Sequence, residues 1–419
     1  MKGFSRVGGE LSLDGVGLDG VAARFGTPCY VYSRALIEEA FADFDTGLAG
    51  VPHLVCYAVK ANSNLAVLDV LARVGAGFDI VSGGELERVL AAGGEARRVI
   101  FSGVGKSEAE IAAALAAGIK CFNVESEPEL DRLDAEARAM GKIAPVALRI
   151  NPDVDARTHP YSSTGMAGNK FGIPHGRALD AYRHAAGLKN LRVTGIGCHI
   201  GSQILETSPM DEALERVLEL VAQLAEEGID LEHLDLGGGF GIRYRDEEPP
   251  DIGAYCRRLA ERLKPTGYRV MLEPGRSIVG AAGVLLTRVE YLKLDKAKRF
   301  AVVDASMSEL IRPALYESWH EIVPVAGRGA RAETYDIVGP VCESSDVLGT
   351  DRSLPVEAGD FLAILAAGAY GMTMASNYNS RPRPAEVLID GDRALEIRSR
   401  EDVASLFALE KRIDDAAAR

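Results

Sequence analysis

The feature that most constrains the fold of this chain is a regular alternation of short apolar runs with helical segments between residues 53 and 276. Eight such runs occur, and their sequences are HLVCYAVK, GFDIVS, RVIFSG, KCFNVES, APVALRINP, RVTGIGCHIG, HLDLGGGFG and RVMLEPGR. Strands that alternate with helices pair in parallel through right-handed crossovers. Eight regular units predict a closed (β/α)8 barrel. The competing architecture, an open doubly wound sheet, is disfavoured because no GxGxxG turn follows the first run.

The pattern changes after Arg276. Runs such as VLLTRVEYLKL, FAVVDAS, AETYDIVGP, DFLAILAAGAYG and AEVLID are β-like, and almost no strong helical segment separates them. We therefore predict two domains in an α/β chain: a (β/α)8 barrel over residues 31–276 and an all-β domain of Greek-key or sandwich type from residue 277 to residue 419.

Composition excludes several classes of partner. A net charge of −14 argues against nucleic acid or an anionic membrane as the main partner. No apolar run is long enough to span a bilayer, and the N-terminus lacks the apolar core of a signal peptide. The six cysteines are far apart and include no CxxC pair, a pattern typical of free thiols and not of a disulfide frame or a metal site. We expect a cytoplasmic protein without a bound metal.

The first apolar run ends on Lys60, and Ser63 is the expected N-cap of a helix from about residue 64 to residue 74. An isolated lysine at the end of a strand is usually a solvated side chain. The alternative is a partly desolvated amine with a lowered pKa, able to form a Schiff base with an aldehyde cofactor. The two interpretations stay open on this segment alone.

Further polar and glycine-rich positions end the later strands, and the carboxyl ends of barrel strands form the active-site face. Residues 237–239 are three glycines, which suit either a phosphate site or a tight turn. His199 is either a core histidine or a ring that stacks on a flat cofactor. Glu273 either pairs with Arg276 or faces a ring nitrogen and keeps it protonated, which makes the ring an electron sink.

Three short stretches stand out in the predicted β domain. RPALY offers a guanidinium at Arg312 and a phenol at Tyr316, which suit a carboxylate. VCESSD places the thiol of Cys342 beside Glu343, and GAYG puts Tyr370 in a glycine turn. Each stretch alone is compatible with ordinary loop chemistry.

Together these motifs resemble one known family. YAVKAN, FDIVSGGEL, the TH-x-Y-x-x-TG-x-x-x-x-KFG stretch, CHIGSQ, GGGFG, EPGR, RPALY, GPVCESSD and GAYG occur in order along the chain. They resemble the diaminopimelate decarboxylases, pyridoxal-phosphate enzymes of fold-type III, which are built on an alanine-racemase-like barrel and a β domain. The resemblance extends from about residue 25 to residue 390.

The resemblance implies a role for each matching residue. Lys60 would carry the cofactor aldehyde, Cys342 would return a proton to the α-carbon, and His199 would stack on the ring. Two further groups are implied: cofactor contacts at Gly239, Glu273, Pro274, Gly275, Arg276 and Tyr370, and substrate contacts at Arg276, Arg312, Tyr316, Glu343 and Tyr370.

The resemblance also implies an assembly and a reaction. The Cys342–Glu343 segment would reach the barrel of a second subunit, so that a homodimer shares its active sites, and residues 1–30 would join the β domain. The implied reaction is decarboxylation of meso-2,6-diaminopimelate to L-lysine and carbon dioxide, the last step of lysine biosynthesis. Residues 158–172 are a candidate lid.

Related decarboxylases act on other substrates, and these remain alternatives. Ornithine-type enzymes resemble a pattern with Asp after the cysteine, whereas this chain has Glu343. Two buried arginines beside a lone distal ammonium would be costly, so Arg276 and Arg312 favour a distal centre that also bears a carboxylate. A decarboxylase of D-lysine, D-ornithine, arginine or a carboxylated polyamine is the first alternative. A non-catalytic cofactor carrier and a racemase are the others, and Glu273 disfavours the racemase.

Overall fold

The computed structural model describes residues 2–156, 170–295, 298–327 and 331–417. The chain folds into two compact units. The first, here called the barrel unit, is Leu36–Gly280, and the second, the β unit, is Met1–Ala35 with Ala281–Arg419. Residues 158–169 of the candidate lid lie outside the described residues. Within the described ranges, no helix has both the length and the apolar character needed to cross a bilayer.

The N-terminal part of the β unit contains a small antiparallel sheet, a helix and one strand of the main sheet. These elements are β1 (Phe4–Val7), β2 (Glu10–Leu13), β3 (Val16–Gly17), α1 (Leu18–Phe25) and β4 (Cys29–Ser33). All five residues of β4 are buried. The strand therefore belongs to the interior of the unit, as its apolar sequence indicates.

Helix α2 (Arg34–Gly47) leads into the barrel unit, and the described residues of this unit form nine parallel-paired strands. They are β5 (His53–Ala58), β6 (Gly77–Ile80), β7 (Val99–Phe101), β8 (Cys121–Val124), β9 (Ala144–Asn151), β10 (Ile173–Pro174), β11 (Leu191–Gly197), β12 (His233–Asp235) and β13 (Arg269–Leu272). Eight of them follow the order β9-β11-β12-β13-β5-β6-β7-β8, and the pairing of β8 with β9 closes the ring. The short β10 adds to the edge of β9. The predicted (β/α)8 barrel is confirmed.

Helices separate the barrel strands as the sequence periodicity predicts. They are α3 (Leu65–Arg73), α4 (Gly83–Ala91), α5 (Glu108–Ala117), α6 (Glu127–Ala139), α7 (Ala178–Gly187), α8 (Ser208–Glu226), α9 (Ile252–Leu263) and the single turn α10 (Arg276–Val279). The predicted cap of α3 is off by one residue: the helix begins at Leu65, and Asn64 caps it by accepting from the amide of Ala66 at 2.9 Å. The interior is filled by small and medium apolar side chains: Leu54, Cys56, Ile100, Cys121, Ala147 and Met271. Strands covered on both faces are apolar throughout, which explains the continuous runs.

The remainder of the β unit is predominantly strand. Its elements are β14 (Gly283–Leu294), β15 (Arg299–Val303), α11 (Arg312–Tyr316), β16 (Ile322–Pro324), β17 (Glu333–Val338), β18 (Val347–Leu354), β19 (Phe361–Ile364), β20 (Ala385–Asp390), β21 (Arg393–Arg398) and α12 (Ile413–Ala417). The main sheet has the order β18-β17-β15-β14-β4-β20-β21, and β19 pairs with both β14 and β16. Strand β4 pairs antiparallel with β14 and parallel with β20, so the segment that precedes the barrel unit contributes a central strand to this sheet. The predicted separate β-rich unit is confirmed.

Candidate active site in the barrel

Lys60 forms an ion pair at the carboxyl end of the barrel strands. Strand β5 ends at Ala58, and a 3₁₀ turn over Val59–Ala61 carries Lys60. Its Nζ lies 2.7 Å from Oδ2 of Asp79, which the register of β5 and β6 places opposite Ala58. The Asp79 side chain is fully buried, whereas that of Lys60 is 40% exposed. Oδ1 of Asp79 is also buried and has no hydrogen-bond partner among the described residues, so it offers an acceptor to an incoming group.

His199 follows β11 and is held neutral. Its Nδ1 accepts a hydrogen bond from the amide of Gly238 at 3.2 Å, which leaves the ring proton on Nε2. Burial lowers the pKa of His199 well below its ordinary value, and the positive charges of Arg149 and Lys60 lower it further. A neutral imidazole in this position presents a flat ring without introducing a third positive charge.

The backbone of the turn at residues 237–239 requires glycine. Gly237 and Gly239 have φ angles of +68° and +94°, which favour glycine. A Cβ on Gly238 would clash with the carbonyl oxygen of Glu273, and one on Gly239 would clash with that of Gly201. The turn therefore combines a left-handed backbone with close approach to its neighbours, and it exposes no side chain of its own.

A network of carboxyl, amide and hydroxyl groups lies at the carboxyl end of the barrel strands, which we call the barrel mouth. Nδ2 of Asn123 donates to Oδ2 of Asp235 at 3.0 Å and to Oε1 of Glu273 at 3.1 Å. Ser102 Oγ lies 3.4 Å from the same Glu273 oxygen. Burial raises the pKa of Glu273 well above its ordinary value, and the negative charges of Asp235 and Asp79 raise it further. Burial likewise raises the pKa of Asp235.

The segment after β13 fixes the other side of the mouth. The Pro274 carbonyl accepts from the amide of Ala58 at 3.0 Å, and Gly275 packs closely against that alanine. The guanidinium of Arg276 donates to the hydroxyl of Tyr244 at 2.6 Å and to Oγ of Ser202 at 3.0 Å. Arg276 is thus buried, and two hydroxyl groups orient its guanidinium.

The candidate residues of the β unit have different surroundings. Arg312 begins α11, is 6% exposed and donates to Oγ of Ser318 at 3.1 Å. Tyr316 ends the same helix and is half-buried. Tyr370 is half-buried and has a φ of +57°. A non-glycine residue with such an angle is uncommon and directs attention to a functional role.

The thiol and the acid of the VCESSD stretch are both exposed. All six cysteines lie in described residues, and Cys342 is the exposed one among them. Its amide donates to Oδ1 of Asn379 at 3.4 Å, and Oε1 of Glu343 accepts from the hydroxyl of Tyr378 at 2.7 Å. Asp346, the last residue of the same stretch, is buried and accepts from the amides of Met307 and Val341, so it shapes the turn.

Several site residues were not identified from the sequence. They are Ser102, Asn123, Arg149, Ser202, Asp235 and Tyr244. Asn123 is a polar residue within the otherwise apolar strand β8, and Asp235 ends β12 between Leu234 and Leu236. That pattern was available in the sequence, because a polar residue inside a buried strand must find a partner.

The barrel unit thus brings together an amine, a neutral imidazole, a pair of carboxyls, a side-chain-free turn and an oriented guanidinium. Lys60, His199, Gly239, Glu273, Pro274, Gly275 and Arg276 all belong to this unit. An aldehyde-bearing, phosphorylated nitrogen heterocycle matches this set. The amine suits the aldehyde, the acid suits the ring nitrogen, and the glycine turn with the guanidinium suits the phosphate.

Comparisons with known proteins agree with this chemistry. Residues 34–280 match the family model described as the pyridoxal-binding domain of pyridoxal-dependent decarboxylases. A diaminopimelate decarboxylase of Pseudomonas fluorescens is 58% identical and covers 97% of this chain and 98% of its own length. Crystal structures of diaminopimelate decarboxylases from Helicobacter pylori and M. jannaschii, each with L-lysine, are similar. They have TM-scores of 0.91 and 0.93, are 42% and 38% identical, and cover 94% and 99% of this chain and 99% and 98% of their own. The chain therefore belongs to the pyridoxal-dependent decarboxylases.

Proposed function

We propose that this chain decarboxylates meso-2,6-diaminopimelate to L-lysine and carbon dioxide with pyridoxal phosphate as cofactor. The observation that carries the proposal is the buried acid pair of Asp235 and Glu273 in the barrel that also holds Lys60. When bound, this cofactor would supply an electron sink for the pair released from the Cα–carboxylate bond, and Glu273 would keep its ring nitrogen protonated. A carboxylate beside the ring nitrogen is what keeps such a ring protonated. The names of the curated relatives support the choice of substrate.

The residues of the barrel unit fit this cofactor. Lys60 is the amine that would bind the aldehyde. Oδ1 of the neighbouring Asp79 is buried and could accept a hydrogen bond from an incoming group. His199 would lie against one face of the ring, because its imidazole is flat and neutral. Arg276 and the turn containing Gly239 would hold the phosphate. Pro274 and Gly275 would set the position of Glu273 through the bond of the Pro274 carbonyl to β5.

The β unit would supply the groups that select the substrate. Arg312 is a buried guanidinium suited to the distal carboxylate, and Tyr316 and Tyr370 are phenols that can orient it. Glu343 would face the distal ammonium. Together with Arg276, these residues match a distal carbon that bears a carboxylate and an ammonium. A substrate with only an ammonium at that end would bring two positive charges together at Arg312.

Cys342 would be the general acid that returns a proton to the α-carbon after carbon dioxide has left. We place it in the barrel of a second subunit, so the functional form would be a homodimer with shared sites and the β unit would contribute to the interface. The exposure of Cys342 and Glu343 supports this assignment, because it leaves both side chains accessible to a second subunit. Free cysteines throughout support a cytoplasmic location. We assign no nucleic acid or membrane partner.

The proposal is tested by comparing kcat/KM for release of carbon dioxide from meso-2,6-diaminopimelate, D-lysine, D-ornithine, L-ornithine and arginine. We expect a preference of at least about 10³ for diaminopimelate, since a site built to bind a charged group strongly rejects analogues that lack it. Arg312→Met should abolish most of that preference. Arg331→Met, at a side chain that is 91% exposed, is the matched control and should preserve it. A wild-type preference for a substrate without a distal carboxylate would overturn the proposal.

A further inference from the structure

One exposed segment of the β unit contacts the Cys342–Glu343 turn through two consecutive residues. The hydroxyl of Tyr378 donates to Oε1 of Glu343 at 2.7 Å. The amide of Cys342 donates to Oδ1 of Asn379 at 3.4 Å. Neighbouring residues of the segment thus contact neighbouring residues of the turn. The two hydrogen bonds together fix the register of the segment relative to the turn.

The segment that carries Tyr378 has an unusual backbone. Asn379 and Ser380 have φ angles of +55° and +54°, in a region that non-glycine residues rarely adopt. Asparagine visits this left-handed region more readily than most residues, but serine does not share that preference. Two such residues in succession cost conformational energy and persist only where the surrounding structure holds them, which is common at functional sites.

Hydrogen bonds to the rest of the β unit hold this backbone in place. Nδ2 of Asn377 donates to Oε2 of Glu401 at 2.6 Å and to the carbonyl of Arg381 at 3.0 Å. The guanidinium of Arg381 donates to the carbonyl of Asp304 at 2.7 Å. The segment is therefore anchored on both sides of Tyr378, and the backbone position of this residue does not depend on its contact with the turn.

The contact gives the exposed carboxylate of Glu343 a defined orientation. An exposed glutamate side chain without a partner samples several rotamers. The hydrogen bond from Tyr378 occupies Oε1 and leaves Oε2 as an acceptor for a further donor, since both carboxylate oxygens can accept. The bond to Glu343 also raises the pKa of Tyr378 above its ordinary value, so the phenol stays protonated and remains the donor.

We propose that Tyr378 is a positioning residue through which the protein selects the distal ammonium of the substrate. Its hydroxyl holds one oxygen of Glu343, so that the other oxygen faces the ammonium. A carboxylate that is oriented in advance loses less side-chain freedom when the ammonium binds. The inference rests on the proposed role of Glu343 and adds a residue to which no role is assigned. It requires a hydroxyl donor at position 378, and an aromatic ring alone is not sufficient.

Tyr378→Phe isolates the hydroxyl, because it keeps the ring and removes the donor. The test compares meso-2,6-diaminopimelate with 2-aminopimelate of the same configuration at the reacting carbon, which keeps the distal carboxylate but lacks the distal amino group. For diaminopimelate we expect KM to rise roughly tenfold with kcat within about twofold of wild type, since a hydrogen bond to a charged binding group is lost. For 2-aminopimelate both constants should stay within about twofold of wild type. If 2-aminopimelate binds without turnover, its inhibition constant takes the place of its KM.

Two further variants show whether the hydroxyl acts through Glu343. Tyr291→Phe, at a tyrosine of the β unit that is 70% exposed, is the matched control and should behave as wild type with both substrates. Glu343→Ala removes the carboxylate that Tyr378 orients. In the Glu343→Ala background, Tyr378→Phe should change kcat/KM for diaminopimelate by less than about twofold, because the effects of two residues that act through one contact do not add.

Three results would overturn the inference. In the first, Tyr378→Phe has the kinetic constants of wild type for both substrates. In the second, it raises KM equally for diaminopimelate and 2-aminopimelate, which would indicate a general structural effect. In the third, it is as damaging in the Glu343→Ala background as in wild type, which would mean that the hydroxyl does not act through Glu343.

The wild-type measurements distinguish this inference from the proposed function. If wild type prefers diaminopimelate and Tyr378→Phe is unchanged, the proposed function stands and the role of Tyr378 is rejected. If wild type releases no carbon dioxide from diaminopimelate, the proposed function itself is rejected. Equal efficiency of wild type with diaminopimelate and 2-aminopimelate would reject the proposed role of Glu343, and the inference with it.

Discussion

The barrel mouth and the turn at residues 341–346 of the β unit differ in how far their reactive groups are buried. At the mouth, Lys60 pairs with the buried Asp79, and burial together with neighbouring negative charges raises the pKa of both Asp235 and Glu273. At the turn, Cys342 and Glu343 are exposed. The turn has a fixed backbone nonetheless, because the buried Asp346 accepts amide hydrogens from Met307 and Val341 at 2.6 and 2.8 Å.

This difference in burial indicates which reactive groups a single unit can hold in a defined charge state. A group that must carry a defined charge beside a cofactor ring needs a fixed field, and that field is complete inside the barrel. Cys342, by contrast, is exposed on its own unit. We therefore expect changes at the mouth to affect the cofactor first, and changes at the turn to affect catalysis while leaving the cofactor in place.

The largest effect is expected for Lys60→Ala. The variant should lose the absorbance band of the lysine-linked cofactor and at least about 10⁴-fold in kcat, because the amine that holds the aldehyde is gone. Absorbance spectra and carbon dioxide release measure the two losses. Lys189→Ala, at an exposed lysine of the barrel unit, is the control. A Lys60→Ala protein that keeps both its colour and its turnover would refute the assignment.

The second largest effect is expected for Cys342→Ser. Removing a general acid typically lowers the rate by about 10²–10⁴, so kcat should fall within that range. The cofactor spectrum and its dissociation constant should stay as in wild type. Ser344→Ala, at an exposed neighbour in the same turn, should change neither quantity. Loss of the cofactor from Cys342→Ser would break the distinction between mouth and turn.

A mixed dimer tests whether the turn acts in a second subunit. Co-expression of Lys60→Ala and Cys342→Ser chains with different tags, followed by purification on both tags, yields a dimer with one copy of each. If the turn completes the partner's barrel, one of its two sites is intact and the dimer should have about half of wild-type activity. The separately purified parents are the controls. A mixed dimer no more active than its parents would place the turn in its own barrel.

The sequence was informative where position along a strand determines function. Lys60, His199 and Glu273 were identified because they end apolar runs, and the carboxyl ends of barrel strands share one face. The helix cap was misplaced by one residue since Ser63 and Asn64 are both good caps. The structure resolves this choice: the side chain of Asn62 accepts from the amide of Asn64, which delays the start of α3.

The network at the barrel mouth was not predicted, because its contacts join residues far apart in the chain. Arg276 reaches Tyr244 and Ser202, which lie 32 and 74 positions earlier, and Asn123 reaches Asp235 across 112 positions. The periodicity of an apolar run identifies a strand, but it does not tell which strands become neighbours. A polar residue inside such a run nevertheless indicates a buried partner, and this rule would have singled out both Asn123 and Asp235.

The smallest effect concerns His233, at the other end of the strand that carries Asp235. Burial lowers the pKa of His233 from 6.5 to about 3, and its ring packs against Gly195. Because the folded-state pKa is lowered, the unfolded chain binds the proton more readily, and stability falls as pH drops below 6.5. We expect wild type to lose about 1 kcal/mol from this group between pH 7 and pH 5.5.

Replacing the ring by an apolar side chain isolates this contribution. His233→Leu removes the titratable group without leaving a buried polar atom, so its urea unfolding free energy should fall about 1 kcal/mol less than that of wild type over this pH interval. Between pH 7 and pH 8 the two proteins should run parallel, since the histidine is neutral in both states. Equal acid sensitivity of the two proteins would show that burial of ionisable groups affects the mouth of the barrel but not the opposite end of the same strand.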